Sequence, residues 1–123
     1  MQSFDVVLLQ SDARIAKSLL ASLCNSFHSV HEARSLSELR SNLAKQDAAV
    51  IIVDMEITSV GEVERLSHDF PEVRIVCTHR LADEQMWAAA LNAGAVDVCP
   101  SHDTRGILTA ALGNPGLTRS CAA

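Results

Sequence analysis

The sequence is poor in aromatic residues: it has no tyrosine and a single tryptophan. A flavin site stacks aromatic side chains on the isoalloxazine ring, so this shortage argues against a flavin-dependent electron carrier. The sequence also lacks a Gly-rich phosphate loop, a G-x-S-x-G elbow and an H-E-x-x-H pair. We therefore expect a protein that is not an enzyme.

Positive charge and long apolar runs are also scarce. The chain has 10 Lys and Arg against 15 Asp and Glu, and no basic cluster that would bind nucleic acid directly. Its most apolar run, residues 48–53, is far shorter than the roughly 20 residues that span a membrane. The N-terminus lacks the pattern of a signal peptide. We expect a cytoplasmic protein without a membrane segment, whose partners are proteins or small ligands.

The cysteines form no C-x-x-C pair, so they are interpreted as reduced thiols. They are Cys24, Cys77, Cys99 and Cys121. Two of them, Cys77 and Cys99, fall near His79 and His102 at the ends of predicted strands, a combination that suits a transition metal. Cysteine within a strand is more often a small core residue.

Apolar strand patterns alternate with helical patterns along the chain. The predicted strands cover residues 4–9, 28–33, 48–53, 73–77 and 96–99. Predicted helices cover residues 13–24, a segment after the capping box 35–38, a short and weak helix at 61–69, 83–92 ending at Gly94, and a segment from Asp103 to Gly113. We expect one domain, residues 1–115, followed by a tail or linker stub, residues 116–123.

Five βα units predict an α/β fold with a doubly wound, five-stranded parallel sheet in the flavodoxin-like order 2-1-3-4-5. The third strand is apolar throughout, as expected of a strand covered on both faces. Asp54 ends this strand. In the predicted order strands 1 and 3 flank the reversal, so Asp54 and the residues after Leu9 share the crevice where such sheets bind ligands.

The chain resembles the receiver domain of bacterial response regulators. The resemblance rests on Asp54 after strand 3, Gly61 beyond it, Thr78 after strand 4 and the segment 90–95 before strand 5. It implies that Asp54 accepts a phosphoryl group and that Thr78 bonds this group through its hydroxyl. It also implies a magnesium ion held by Asp54 and two acids after strand 1, and a lysine after strand 5.

The sequence departs from this pattern at the charged positions. Gln10 and Ser11 stand in the places of the two acids, and Asp12 lies one place late. Ser101 stands in the place of the lysine. Asp54 and Asp12 are then the remaining candidate ligands for magnesium, and no other cofactor is expected.

The residues that transmit activation in receivers are also changed. Thr58 replaces a proline after the phosphoacceptor, and Val98 replaces the aromatic residue of strand 5, so the usual Thr and aromatic coupling cannot operate. The resemblance implies partners at the face of helix 4, strand 5 and helix 5, either an effector domain or a second copy, and a histidine kinase. A candidate apolar patch there consists of Met86, Trp87, Ile107 and Leu108. Helical spacing favours partial burial of Trp87.

Two interpretations of Asp54 follow. It accepts phosphate with help from Thr78, backbone amides and Asp12, or from His79 and His102. Alternatively, it is a helix N-cap or a solvated acid in a domain that signals without phosphate.

We favour the second interpretation: an atypical receiver in two-component phosphorelay signalling that acts mainly as a protein-interaction module. The alternatives are an atypical receiver that precedes a ParA-like ATPase in pilus assembly, and a flavodoxin-like or metal-binding protein.

Overall fold

The computed structural model describes residues 2–45 and 48–112. Strands and helices alternate strictly along this part of the chain. The strands are β1 (Gln2–Leu9), β2 (Phe27–Ala33), β3 (Ala48–Asp54), β4 (Arg74–His79) and β5 (Asp97–Pro100). The helices are α1 (Ala13–Cys24), α2 (Leu36–Lys45), α3 (Val60–Asp69), α4 (Glu84–Ala93) and α5 (Thr104–Leu112).

The strands form one parallel sheet in the order β2-β1-β3-β4-β5, which confirms the predicted topology. Helices α2, α3 and α4 pack on one face of the sheet, and α1 and α5 pack on the other. Successive residues of β3 point to opposite faces, and both sets are buried: Ile51 and Val53 on the first, Val50 and Ile52 on the second. The unbroken apolar run of β3 is therefore explained by helices on both sides.

Helix boundaries follow the capping residues in the sequence. Asp12, Ser59 and Asp83 each accept backbone N–H bonds at the start of a helix. Gly94 ends α4 with φ of 116°, the left-handed conformation predicted for it. These local signals fix where the chain leaves each helix and enters the next strand.

The largest differences from the prediction lie at strand ends. β4 extends to His79, two residues beyond its apolar run, because its backbone continues to pair with β5 through Thr78 and His79. Helix α3 begins one residue early and has 10 residues, as many as α2 and α4, so it is not unusually short. The predicted stop at Gly113 and the tail 116–123 lie outside the described residues. Within residues 2–45 and 48–112, no helix has the length and apolar character needed to cross a bilayer.

Candidate functional site

The carboxyl ends of β1, β3 and β4 meet at one rim of the sheet, as their register requires. Leu9 is paired with Val53, and Asp54 is paired with Thr78 on the next strand. The residues that follow β1 therefore lie beside Asp54, as the strand order predicted. Asp54 and Thr78 are both fully buried.

Both carboxylate oxygens of Asp54 accept hydrogen bonds from nearby parts of the chain. Oδ2 accepts from the backbone N–H of Ser11 at 3.0 Å and from its hydroxyl at 2.5 Å, and Oδ1 accepts from the backbone N–H of Glu56 at 2.9 Å. The expectation that Asp54 is a helix N-cap or a solvated acid was wrong. Ser59 caps α3, and the Asp54 side chain has an exposed fraction of 0%.

Gln10 joins the rim through its side-chain amide. Its Nε2 donates to the hydroxyl of Thr78 at 3.3 Å, and its Oε1 accepts from the backbone N–H of Asp12 at 3.2 Å. The Asp12 carboxylate instead caps α1, because it accepts hydrogen bonds from the backbone N–H groups of Arg14 and Ile15. Gln10 thus occupies the interior of the site with a neutral side chain.

These residues do not fit the magnesium ion that a receiver pattern implies. Magnesium demands a near-octahedral set of oxygen ligands and is usually bound through carboxylates. Here both oxygens of Asp54 accept bonds from N–H or O–H donors, and the neighbouring positions carry a neutral amide and a neutral hydroxyl where the receiver pattern has charged ligands. Asp12 is a helix cap rather than a free ligand.

Ser101, at the position of the lysine, is buried with an exposed fraction of 1%. Its backbone N–H donates to the carbonyl of His79 at 3.1 Å. Its hydroxyl, however, has no hydrogen-bond partner among the described residues. Ser101 therefore neither supplies the missing positive charge nor bonds to Asp54 or Thr78.

Sequence reasoning missed a cation at this rim, Arg80. Its Nε and Nη2 lie 2.9 and 2.8 Å from Oε1 of Glu56, which ties the loop after β4 to the loop after β3. The hydrogen bond to Glu56 and then the charge of Glu56 raise the pKa of Arg80; desolvation opposes this, and the charges of Asp12 and Asp54 make the smallest contributions, which also raise it. The available signal was its place two residues after Thr78, on a loop bordering Asp54.

Two further positions that differ from the receiver pattern, Thr58 and Val98, have structural roles. The hydroxyl of Thr58 donates to the backbone carbonyl of Asp54 at 2.9 Å, so this side chain holds the turn after β3. Val98 is buried under α4 in the core. Neither residue carries a polar group toward the carboxylate of Asp54.

The cysteines and histidines considered for a metal do not converge. Cys77 and Cys99 belong to core clusters on opposite faces of the sheet. Burial, followed by the nearby charge of Asp97, raises the pKa of the Cys77 thiol to about 12, so it is not an available thiolate. His79 accepts from the N–H of Leu81 through Nδ1, and His102 is exposed. Among residues 2–45 and 48–112, no three His, Cys, Asp or Glu residues are placed to hold a metal ion.

The predicted apolar patch does not form as one surface. Ile107 has an exposed fraction of 0% and, with Leu108, packs on the α1 and α5 side. Met86 and Trp87 pack on the other side, where the predicted partial burial of Trp87 is confirmed. The prediction of Ile107 as an interface residue was wrong, because the inward stripe of α5 uses it for the core.

A groove between α4, β5 and α5 provides a different surface, at the edge of the sheet that β5 forms. Its volume is about 600 Å³, and Trp87, Asp97, Arg105 and Thr109 are among its lining residues. The indole Nε1 of Trp87 donates to Oδ1 of Asp97 at 3.2 Å, which fixes the ring against the edge strand. This surface is amphipathic rather than purely apolar.

Comparison with known proteins gives a clear structural likeness. No protein-family model matches the sequence, and no curated protein matches it either. Among solved structures, the RcsB response regulator of Salmonella typhimurium superposes with a TM-score of 0.79 at 19% identity, over 92% of this chain and 59% of that one. This chain thus spans less than two thirds of that regulator.

Two further structures cover more of the compared chain. A Burkholderia pseudomallei response regulator, solved with a phosphorylated aspartic acid, calcium ion and citrate, has a TM-score of 0.81 at 18% identity over 98% of this chain and 74% of that one. The CheY-like protein tadZ from Pseudomonas aeruginosa has a TM-score of 0.72 at 25% identity over 88% of this chain and 89% of that one. The predicted resemblance is confirmed at the level of the fold.

Proposed function

We propose that this chain, which has the fold of a response regulator receiver domain, acts as a protein-interaction module in two-component signalling, with phosphorylation at Asp54 reduced or absent. The fold supports a place in two-component signalling. The proposal concerns how this chain uses the fold. It is a binding module rather than an enzyme, and its place is the cytoplasm.

The observation that carries the proposal is the state of the Asp54 carboxylate. To accept a phosphoryl group, one carboxylate oxygen must attack phosphorus, and the added charge must be offset by cations close to the site. In this chain Ser11 supplies both donors to Oδ2, and Glu56 supplies the donor to Oδ1. These three donors withdraw electron density from both oxygens and lower their nucleophilicity, at a rim where Ser101 provides no positive charge.

The proposed partner surface is the face of α4, β5 and α5, with either an effector domain or a second copy of the chain as the partner. Trp87 and Asp97 are held together there, and Arg105 and Thr109 line the same groove. A surface with one anchored aromatic side chain and polar groups around it suits protein recognition, because aromatic anchors contribute much of the binding free energy. A histidine kinase is the further partner that two-component signalling implies.

The test of phosphate use is intact mass spectrometry after incubation with acetyl phosphate, with and without magnesium. We expect no adduct in the wild type, and no change in Trp87 fluorescence on addition of beryllium fluoride. Asp54→Asn is the control for the site, and Asp69→Asn, at an exposed acid on α3, is the control for nonspecific acylation. A phosphoryl adduct that disappears in Asp54→Asn alone would contradict the proposal.

The test of the partner surface is the concentration dependence of molecular mass by analytical ultracentrifugation. If a second copy is the partner, Thr109→Lys in the groove should abolish the dimer, while Ser41→Lys on the exposed side of α2 should leave it intact. An effector partner instead predicts a monomer at all concentrations. A dimer that survives Thr109→Lys would place the contact elsewhere.

A second candidate is an atypical receiver that precedes a ParA-like ATPase in pilus assembly. One observation favours this candidate. The sequence is 25% identical to the CheY-like protein tadZ, against 18–19% for the two response regulators. The sequence of the gene beyond residue 123 decides this case. An ATPase domain there would support it, and a DNA-binding domain would contradict it.

A further inference from the structure

The acidic groups around the end of β3 need a counter-charge from some source. Asp54 is buried, Glu56 follows it by two residues and donates its backbone N–H to Asp54, and Asp12 lies at the start of α1 beside the same rim. Like charges a few ångströms apart repel by several kcal/mol unless a cation lies among them. In a receiver pattern magnesium would have that role, but the residues here do not fit it.

The cation that the chain itself provides is the guanidinium of Arg80. Two of its nitrogens contact one oxygen of Glu56, and the guanidinium reaches across from the loop after β4 to the loop after β3. The charges of Asp12 and Asp54 also act on Arg80, after the nearer effect of Glu56. A guanidinium is always charged and presents several donors in a fixed plane, so it can offset acids without any dehydration of a metal ion.

We infer that Arg80, through its contact with Glu56, is a built-in counter-cation at the end of β3 beside the buried Asp54, and takes the place that a divalent metal has in the receiver pattern. This inference deepens the proposed function and rests on it. It makes the rim independent of magnesium concentration and gives it a permanent charge state. The loops after β3 and β4 are then held together by the protein alone.

The chain offers a closely matched control in Arg65 on α3. Arg65 lies 2.6 Å from Oε1 of Glu62, and its side chain is 71% exposed, as is that of Arg80. The carboxylates are matched as well, at 23% and 20% exposed. The pairs differ in one respect that matters here, since the Arg80 pair borders Asp54 and the Arg65 pair lies along one helix.

The experiment measures the thermal midpoint of the full chain in magnesium chloride and in sodium chloride of equal ionic strength, without any phosphodonor. In the wild type the two salts should give the same midpoint. In Arg80→Ala, magnesium should raise the midpoint by at least about 2 °C over sodium, because the Glu56 carboxylate then lacks its cation and attracts the divalent ion. Arg80→Lys should behave as the wild type, and Arg65→Ala should show no difference between the salts.

Manganese shows where a bound divalent ion lies. Its paramagnetism should broaden the amide NMR signals of residues 54–56 in Arg80→Ala and not in the wild type. The inference is overturned if the wild type responds to magnesium or manganese at this rim, or if Arg80→Ala responds no more than Arg65→Ala. Because no phosphodonor is present, these results are separate from the acetyl phosphate test: an adduct that forms without magnesium contradicts the proposed function and leaves the role of Arg80 standing.

Discussion

The two places where the receiver charges are missing have been filled in different ways. After β1, Gln10 and Ser11 replace two acids, and both form new bonds with Thr78 and Asp54. After β5, Ser101 replaces a lysine, and its buried hydroxyl has no partner in the described part of the chain. The side chains at the β1 end thus form a hydrogen-bonded network, whereas at the β5 end the buried side chain of Ser101 makes no hydrogen bond within the described residues.

The difference teaches that a rim without the charged residues of the receiver pattern can still be held by hydrogen bonds. A buried carboxylate is stable only with bonded partners, and Asp54 has these in Ser11 and the backbone N–H of Glu56. A small hydroxyl without a partner costs much less than an unpaired carboxylate. The two ends should therefore respond oppositely to truncation.

The largest expected effect comes from removing Asp54, the β3 residue to which the β1 end is bonded, and in parallel removing the hydroxyl of Ser101 at the β5 end. Asp54→Ala should lower the free energy of unfolding by about 2–3 kcal/mol, because it leaves the donors of Ser11 and Glu56 without their acceptor. Ser101→Ala should leave it unchanged or raise it by up to about 1 kcal/mol, because it removes a hydroxyl that is buried without a partner. Urea unfolding followed by circular dichroism measures both. Equal destabilisation by the two substitutions would abolish the distinction between the ends.

A smaller effect is expected when one acid is restored at the β1 end. Ser11→Asp places a second carboxylate beside Asp54 and removes a donor, so it should lower the free energy of unfolding by about 1–2 kcal/mol in the absence of divalent ions. Magnesium should recover part of this loss, because it bridges two carboxylates. Ser11→Asn, which is close in size and uncharged, is the control and should not respond to magnesium. If Ser11→Asp shows no magnesium response, the β1 end cannot be returned to a metal site by one acid.

The contribution of Gln10 should be smaller again. Gln10→Ala removes the bond to Thr78 and the acceptor for the Asp12 N–H, with an expected cost of about 1 kcal/mol. The matched control is Gln85→Ala on the exposed side of α4, which should change stability by less than about 0.5 kcal/mol. Denaturant midpoints of the two variants give the comparison. Coincident midpoints would mean that the long 3.3 Å contact between Gln10 and Thr78 contributes nothing.

The sequence was sufficient for the architecture because the signals there are local and repeated. The alternation of strands and helices, the capping box at 35–38, the cap at Asp103 and the glycine at position 94 all predicted boundaries that the structure confirms. The place of Asp54 beside the residues after β1 also followed from the strand order. These features depend on periodicity and backbone geometry, which a single sequence contains.

The partners of the site residues could not be predicted in the same way. The Gln10 bond to Thr78 joins residues 68 apart, and the Arg80 contact with Glu56 joins residues 24 apart. Such pairings depend on side-chain direction at the rim after the fold has formed. The burial of Ile107 illustrates the same limit, because the apolar character of α5 alone does not tell which of Ile107 and Leu108 faces the sheet.

The smallest expected effect lies away from the rim, in the surface pair of Arg40 and Asp69. Arg40 lies 2.9 Å from Oδ2 of Asp69, and this hydrogen bond is the main cause that holds the Asp69 pKa below its usual value, with a smaller contribution from His68. A carboxyl whose pKa is lower in the folded state stabilises the fold above its unfolded pKa, and this contribution disappears as pH falls through the folded pKa. The wild type should therefore be slightly more stable than Arg40→Ala at neutral pH, and the two should converge at strongly acid pH.

Thermal midpoints over the acid range measure the convergence, and a gap that persists at the lowest pH would assign the effect of Arg40 to packing instead of charge. Because both side chains are exposed, the gap should be smaller than the loss of stability in Gln10→Ala.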